Sequence, residues 1–260
     1  MSSHMRLRNF LLLICIFVVS VSAQAEDQLI GVSSRSGVKT SYWWMPRDGT
    51  ITVLLMSGGI GGIGLRDGVP QSLNFLVRSR DAFAQAGFNV ALMGNASDMR
   101  MLNPDLRITP AHVDDIRAIV ADIRKRQAGA LWLVGTSQGT VSAAAAAVAM
   151  GTGIDGVVLN ASVTDRRWSP GAVPNQDLDK VLVPVLVHHN KHDACRVTQP
   201  YLAEAMVKKF TQAPVKKFIE LDGGQNPTGD PCEALHYHGY IGVEDQAVAQ
   251  MADWIKQPKP

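Results

Sequence analysis

The sequence predicts an α/β protein with a mostly parallel, doubly wound sheet and helices on both faces. Two observations support this prediction. Continuous apolar runs of strand length alternate along the chain with longer segments of helical period. With 260 residues, of which 46% are hydrophobic and 18% charged, the chain can also bury a full core. Strands that alternate with helices are typical of parallel sheets covered on both faces.

The first 25 residues are predicted to be a secretory signal peptide. Arg6 and Arg8 precede an apolar run over residues 9–22, and Ala23-Gln24-Ala25 provides a small-residue cleavage site. The run is shorter than the about 20 apolar residues of a membrane span, although an uncleaved anchor is the alternative. We therefore expect residues 26–260 to form one exported domain, periplasmic or secreted, without membrane association after cleavage.

The charge balance argues against a nucleic-acid partner. The formal charge of +2 comes from Arg6 and Arg8, so residues 26–260 contain equal numbers of basic and acidic side chains. Proteins that bind nucleic acid present a clustered basic surface, and no such excess is present here. A small-molecule or acyl substrate is the expected partner, and the sequence does not specify an oligomeric state.

The elements follow from local patterns. Predicted strands cover residues 26–34, 38–46, 50–59, 88–95, 130–135, 156–162, 183–190 and 215–221. Predicted helices cover residues 71–86, 110–126, 138–150, 199–210 and 242–256. The first two strands flank Ser36-Gly37, whose turn chemistry predicts a hairpin. The helix at 110–126 is the clearest, because apolar residues recur at helical spacing and acidic residues begin it while basic residues end it.

A serine lies at the junction of a strand and a helix, in Gly135-Thr136-Ser137-Gln138-Gly139. The spacing G-x-S-x-G at this junction is typical of a nucleophile elbow, in which the glycines make room for a strained serine. We interpret Ser137 as the nucleophile, and a plain tight turn is the alternative.

A serine nucleophile requires a base and an acid that orients the base. On this topology the acid should follow one late strand and the histidine the next. Asp193 follows the strand 183–190 and is the favoured acid. The competing acids lie in the histidine's own loop or after an earlier strand: Asp222, Asp230, Glu233 and Asp98.

Two histidines compete for the role of base. His236 and His238 lie two residues apart, and an extended segment would present both on one face. His238 is favoured because it precedes Gly239 and leads into the last helix.

The oxyanion of an acyl-transfer intermediate requires backbone N–H donors. Gln138, the residue after the nucleophile, is one expected donor, and Gly59 or Ile60 in the glycine-rich loop 57–64 is the other. This loop has neither the Lys-Ser/Thr of a P-loop nor the G-x-G-x-x-G spacing of a dinucleotide site. No cofactor is expected.

The cysteines and the remaining histidines raise two further questions. Cys195 and Cys232 are an even pair in an exported chain, which favours a disulfide over two separate thiols. A metal cluster is suggested by His188, His189, His192 and Asp193, but adjacent strand residues such as His188 and His189 point to opposite faces. No metal site is therefore expected.

These residues together resemble the α/β-hydrolase family. The resemblance covers almost all of residues 26–260 and rests on "GTSQG", the glycine loop, "HNKHDAC" and "HYHGYIGVEDQAVAQMADWI". It implies Ser137 as nucleophile, His238 as general base and acid, and Asp193 as the group that orients it. Ser57-Gly58 departs from the His-Gly of many members, which leaves the loop donor open.

The resemblance also implies a substrate site without a sizeable cap domain. The segment 163–182, where the family inserts lids, is too short for one, and Trp168 within it is either a cleft residue or an ordinary partly buried aromatic. We expect two-step cleavage of carboxylic esters. A peptidase, thioesterase or lactonase would use the same residues, and a metal-dependent hydrolase or a non-catalytic binding protein on this fold is the alternative from a different class.

Overall fold

The computed structural model describes residues 26–260, so the predicted signal peptide lies outside the described residues. Ten strands occur there: β1 (Gln28–Arg35), β2 (Val38–Met45), β3 (Ile51–Met56), β4 (Leu65–Arg66), β5 (Val69–Pro70), β6 (Asn89–Met93), β7 (Ala130–Thr136), β8 (Gly156–Asn160), β9 (Val185–Asn190) and β10 (Lys216–Leu221). The helices are α1 (Phe75–Arg78), α2 (Arg80–Gln85), α3 (Pro104–Arg107), α4 (Pro110–Arg126), α5 (Gln138–Met150), α6 (Pro200–Met206) and α7 (Glu244–Lys256).

Eight of these strands form one sheet in the order β1-β2-β6-β3-β7-β8-β9-β10. The hairpin β1–β2 is antiparallel, as predicted, and β2 also pairs with β6 in antiparallel orientation. From β6 to β10 every neighbouring pair is parallel. The carboxyl ends of the parallel strands therefore meet at one edge, where ligand sites form in such sheets.

Helices cover both faces of the sheet. Alternate residues of β3 show why this strand is apolar throughout: Leu54 and Met56 join one core cluster, whereas Val53 and Leu55 join the other. The first cluster packs against α4, α5 and α6, and the second against α1, α2 and α7. The doubly wound α/β architecture is thus confirmed.

Helix α4 has the predicted bounds, and its ends explain them. The Thr109 side chain accepts a hydrogen bond from the His112 N–H, and Pro110 occupies the first turn, where its missing N–H has no cost. Basic residues fill the last turn and interact favourably with the helix dipole.

The predicted helix at 71–86 is wrong in its extent, because the chain forms two short helices there. Gln71 and Ser72 donate their N–H groups to the loop carbonyls of Gly64 and Ile63, so they are not helical. Asn74 then caps α1 by accepting from Leu76 N–H at 3.1 Å. The small hairpin β4–β5 and helix α3 were not predicted from the sequence.

No helix within residues 26–260 combines the length and the apolar character that a membrane crossing requires.

Candidate active site

Ser137 connects β7 to α5 in a strained backbone conformation. Its φ of 52° and ψ of −127° are rare for a residue with a side chain. The flanking glycines are required by close packing. A Cβ on Gly135 would lie 2.5 Å from the Gly139 carbonyl oxygen, and one on Gly139 would lie 2.0 Å from that of Met56. The strand–turn–helix geometry expected of an elbow is therefore present around Ser137.

The glycine-rich loop after β3 passes close to this serine. A Cβ on Gly58 would lie 2.8 Å from the Ser137 Cβ, so only glycine fits there. Within residues 26–260 the N–H groups of Gly59 and Ile60 have no hydrogen-bond acceptor. The Gln138 N–H is in the first turn of α5, where helical N–H groups lack intrahelical partners. Residues with unpaired N–H groups, Gly59 and Ile60, therefore line the same cleft as Ser137 and Gln138.

His238 and Asp193 form a buried pair at the same edge of the sheet. Nδ1 of His238 lies 2.9 Å from Oδ2 of Asp193, and the two residues are 4% and 5% exposed. A carboxylate only accepts hydrogen bonds, so Nδ1 carries the proton and Nε2 keeps a free lone pair. His238 and Ser137 line the same cleft. The imidazole ring that carries the free Nε2 lone pair is therefore in the same cleft as the serine hydroxyl.

The Asp193 carboxylate accepts three further hydrogen bonds. Its Oδ2 accepts from His189 Nε2 at 3.1 Å and from Thr198 Oγ1 at 3.0 Å, and its Oδ1 accepts from the Cys195 N–H at 2.9 Å. Burial alone would raise the pKa of Asp193, but the hydrogen bonds from His189 and His238 hold it well below its usual range. The carboxylate is ionised and fixed in place.

The loop that carries His238 depends on one glycine. Residues Tyr237–Gly239 form a turn of 3-10 helix, and a Cβ on Gly239 would lie 1.9 Å from the Ala234 carbonyl oxygen. Tyr240 follows in the left-handed region with φ 60° and is fully buried against Phe75, with ring centroids 4.8 Å apart. The His-Gly-aromatic step thereby directs His238 towards the cleft.

The chain is similar to known proteins in structure but not in sequence. No protein-family model matches the chain, and no curated protein is significantly similar to it in sequence. An esterase from Pyrococcus furiosus is similar in structure, with a TM-score of 0.63 at 13% identity over 89% of this chain and 92% of that one. A dienelactone hydrolase from Anabaena variabilis has a TM-score of 0.65 at 15% identity, over 90% of this chain and 98% of its own.

A third similar structure is that of an α/β serine hydrolase without lid from Xanthomonas campestris. Its TM-score is 0.58 at 15% identity, over 87% of this chain and 95% of its own. This chain has the α/β-hydrolase fold. The fold predicted through the family resemblance is thus confirmed, including the lack of a large cap.

The competing acids occupy other positions on this α/β-hydrolase fold. Asp98 pairs with Arg35 on the surface, and Asp222 pairs with Lys191 and His192. Asp230 and Glu233 line the cleft, but neither bonds to His238 within the described chain.

His236 and His188 are also separated from the acid. His236 does not line the cleft, and its ring packs edge-on against Tyr237. His188 lies on the opposite face of β9 from His189, bonded to Tyr240 and Gln250. The alternation expected for adjacent strand residues is therefore observed.

The Cys195 and Cys232 sulfur atoms are 2.07 Å apart, at bonding distance. The bond joins the loop of Asp193 to the loop of His238. Within residues 26–260, Asp193, Cys195 and His238 form a group whose potential metal-ligand atoms lie within 4.8 Å of one another. The bonded Cys195 sulfur offers no thiolate, and the other two residues are bonded to each other. The group does not fit a metal.

The cleft has a volume of about 700 Å³ and is open to solvent. Trp168 is 36% exposed and lines it, together with Ile60 and Leu73. The segment 163–182 contains only two short turns of 3-10 helix, Val173–Asn175 and Leu178–Lys180. No separate cap covers the serine in the described chain, which fits the expectation from the length of this segment.

Three residues at or beneath the site were missed by sequence reasoning. Thr198 and His189 bind the carboxylate of Asp193, and His189 carried a usable signal because it stands on the strand that ends beside that acid. Arg107 is 1% exposed and lies beneath the glycine-rich loop, where Nη2 contacts the Gly59 carbonyl oxygen at 3.1 Å. No local pattern around Arg107 signals its burial.

Proposed function

We propose that the protein is a serine hydrolase that cleaves carboxylic esters through an acyl-enzyme. The observation that carries the proposal is that Ser137, in its strained elbow, shares a cleft with His238, whose other nitrogen is bonded to Asp193. The similar structures include an esterase from Pyrococcus furiosus and a dienelactone hydrolase, which supports hydrolysis as the general activity.

In the proposed first step, Ser137 Oγ attacks the substrate carbonyl carbon while Nε2 of His238 takes the hydroxyl proton. The carbonyl oxygen becomes an oxyanion, which accepts hydrogen bonds from Gln138 N–H and from one amide of the Gly59–Ile60 segment. The alcohol leaves with the proton from His238. Water then attacks the acyl-enzyme in the same way and releases the acid.

Asp193 supports both steps without being protonated itself. Its low pKa keeps it negative, so it stabilises the imidazolium that forms and holds the proton on Nδ1. The open cleft of about 700 Å³ suits esters of small to moderate size or an exposed end of a larger molecule. Thioesters, lactones and peptides would enter by the same route.

Reaction with a fluorophosphonate probe tests the nucleophile before a substrate is known. We expect one covalent adduct on the wild type, located at Ser137 by peptide mass spectrometry and absent from Ser137→Ala. A set of 4-nitrophenyl esters, thioesters and peptide amides then ranks the acyl bonds. A folded wild type that forms no adduct would contradict the proposal and favour a binding protein on this fold.

We also propose that the chain is exported. The signal-like segment 1–25 supports this, as does the Cys195–Cys232 distance, because disulfides persist in oxidising compartments. Fractionation of cells that express the full chain, with N-terminal sequencing of the mature protein, is the test. Export predicts a new N-terminus at Glu26; a full-length protein retained in the membrane fraction would indicate an uncleaved anchor.

A further inference from the structure

Arg107 is a buried cation without an acidic partner. It ends α3, is 1% exposed, and forms no ion pair with any carboxylate of residues 26–260. Burial lowers the pKa of Arg107 to about 10, so the guanidinium remains protonated at neutral pH. An unpaired charge is costly to bury. The charge is instead stabilised by hydrogen bonds to oxygen atoms, two of which are carbonyl oxygens of the glycine-rich loop.

Three hydrogen bonds hold the guanidinium. Nη1 donates to Ser142 Oγ at 2.9 Å, whereas Nη2 donates to the carbonyl oxygens of Ser57 at 3.3 Å and Gly59 at 3.1 Å. The loop residues between Ser57 and Ile60 line the cleft on their other side, and Arg107 does not. The arginine thus holds this loop from the side opposite the cleft.

The two carbonyl contacts fix the directions of two amides, those of Gly58 and Ile60, and Ile60 is the one that the sequence offers as an oxyanion donor. In a trans peptide the C=O and N–H bonds point in opposite directions. Because the Gly59 carbonyl points at Arg107, the Ile60 N–H of the same peptide points away from the guanidinium, and Ile60 itself lines the cleft. The next carbonyl is also held, since Ile60 O accepts from Asn95 Nδ2 at 3.1 Å and from the Leu102 N–H at 2.9 Å. The Ile60 N–H is therefore oriented by its own peptide and by the peptide that follows it.

We propose that Arg107 is a positioning residue that makes the Ile60 N–H the second oxyanion donor, an inference that rests on the proposed serine hydrolase function. Besides direction, the guanidinium supplies polarisation. A cation bonded to a carbonyl strengthens the N–H of the same peptide as a donor, because hydrogen bonds in a chain reinforce one another. The choice between Gly59 and Ile60, left open by the sequence, then falls on Ile60.

Two variants of Arg107 test this role. Arg107→Met removes the charge and the planar guanidinium, whereas Arg107→Lys keeps the charge on a single nitrogen that cannot replace Nη1 at Ser142 and Nη2 at the loop carbonyls together. Misplacing a catalytic group by about 1 Å costs about 100-fold in rate. We expect kcat for 4-nitrophenyl butyrate to fall about 100-fold in Arg107→Met with little change in KM, and less in Arg107→Lys.

A tetrahedral inhibitor separates positioning from general damage. A trifluoromethyl ketone forms an adduct with the serine whose oxyanion needs the same donors, so its affinity should fall in proportion to kcat. Ser142→Ala is the matched control: it removes a buried partner of the same guanidinium but leaves both loop contacts. We expect kcat to fall less in Ser142→Ala than in Arg107→Met, because both loop contacts of the guanidinium remain.

The outcomes are distinct. Folded Arg107 variants with wild-type kcat, or with reduced kcat and unchanged ketone affinity, would overturn the inference. If neither variant folds, Ile60→Pro decides, because proline lacks the N–H: its kcat should lie about 100-fold below that of Ile60→Ala. Equal kcat in those two would overturn the inference. Failure of the proposed function shows differently, as a wild type that forms no fluorophosphonate adduct at Ser137.

Discussion

Nε2 of His189 lies 3.1 Å from Oδ2 of Asp193, the oxygen that His238 Nδ1 contacts at 2.9 Å. One buried carboxylate oxygen therefore accepts from two histidines. His189 belongs to β9, so this bond attaches the acid, which stands on a loop, to the sheet itself. The carboxylate cannot rotate towards or away from His238 without losing a buried bond.

Replacement of His189 should weaken both the fold and the proposed chemistry. His189→Leu removes a donor to a buried ion, and a hydrogen bond to a charged group contributes about 1.5–3 kcal/mol. We expect the free energy of unfolding to fall by that amount in urea titrations. The kcat should also fall with KM unchanged. His192→Gln, a change at an exposed histidine that bonds Asp222, is the control; equal behaviour of the two variants would contradict the role given to His189.

Gly58 should not tolerate even one added carbon. The Cβ of Gly58→Ala would lie 2.8 Å from the Ser137 Cβ and 2.9 Å from the Thr136 carbonyl oxygen. Neither atom is the end of a flexible side chain, so the loop must move away from the serine. We expect a rate of fluorophosphonate labelling reduced about 100-fold, in line with the cost of a misplaced donor.

Gly31→Ala is the control for this substitution. Gly31 lies in β1, and no atom comes within 4 Å of the position of its added Cβ. Its labelling rate should match the wild type. A Gly58→Ala protein that labels as fast as Gly31→Ala would show that the loop does not take part in the reaction.

The bond between Cys195 and Cys232 should stabilise the fold and align the two loops. Their sequence separation of 37 residues corresponds to about 4 kcal/mol in the chain-entropy model. We expect the Cys195→Ala/Cys232→Ala double variant to lose stability of that order in urea titrations. Its kcat should fall more than its KM changes, because Asp193 and His238 lie on the joined loops.

A second measurement separates the bond from the cysteine side chains. Dithiothreitol should lower the stability of the wild type and leave the double variant unchanged. If reduction changes neither the unfolding midpoint nor the kcat of the wild type, the bond contributes neither to stability nor to the alignment of the two loops.

The sheet and the principal helices could be predicted because their signals are local. Helix α4 combines a capping threonine, a proline in the first turn and periodic apolar residues, and its bounds were correct. The helix expected at 71–86 was not, because its first residues bond to a distant loop at Gly64 and Ile63. Periodicity carries no information about such a bond.

Some residues of the candidate site could likewise be predicted from the sequence, and others could not. Ser137, Asp193 and His238 could be placed because strand order brings successive loops to one edge of a parallel sheet. Arg107 and Thr198 could not, since what makes them important is a contact with carbonyls or a carboxylate far away in sequence. The choice of Ile60 over Gly59 likewise depends on which carbonyl faces the arginine, and this is a property of the folded loop.

Two buried histidines should make stability depend on pH. Burial lowers the pKa of His188 to about 4, and burial together with the nearby Arg107 charge lowers that of His112 to about 4. In the unfolded chain both have a pKa near 6.5. Above pH 6.5 both states are neutral, so pH has no effect through these groups. Between about 6.5 and 4 only the unfolded chain binds protons, and stability must fall as pH falls.

The slope of the free energy of unfolding against pH shows whether His188 and His112 cause this decline. Each histidine should contribute about 1.4 kcal/mol per pH unit in that window, measured by urea unfolding at pH 7.5, 6.0 and 5.0. His188→Gln removes one titrating group and should flatten the curve by one histidine's share, whatever it does to stability at pH 7.5. An unchanged slope in His188→Gln would contradict this prediction. It would mean that His188 also binds a proton in the folded protein, where both of its ring nitrogens would then donate, to Tyr240 and to Gln250.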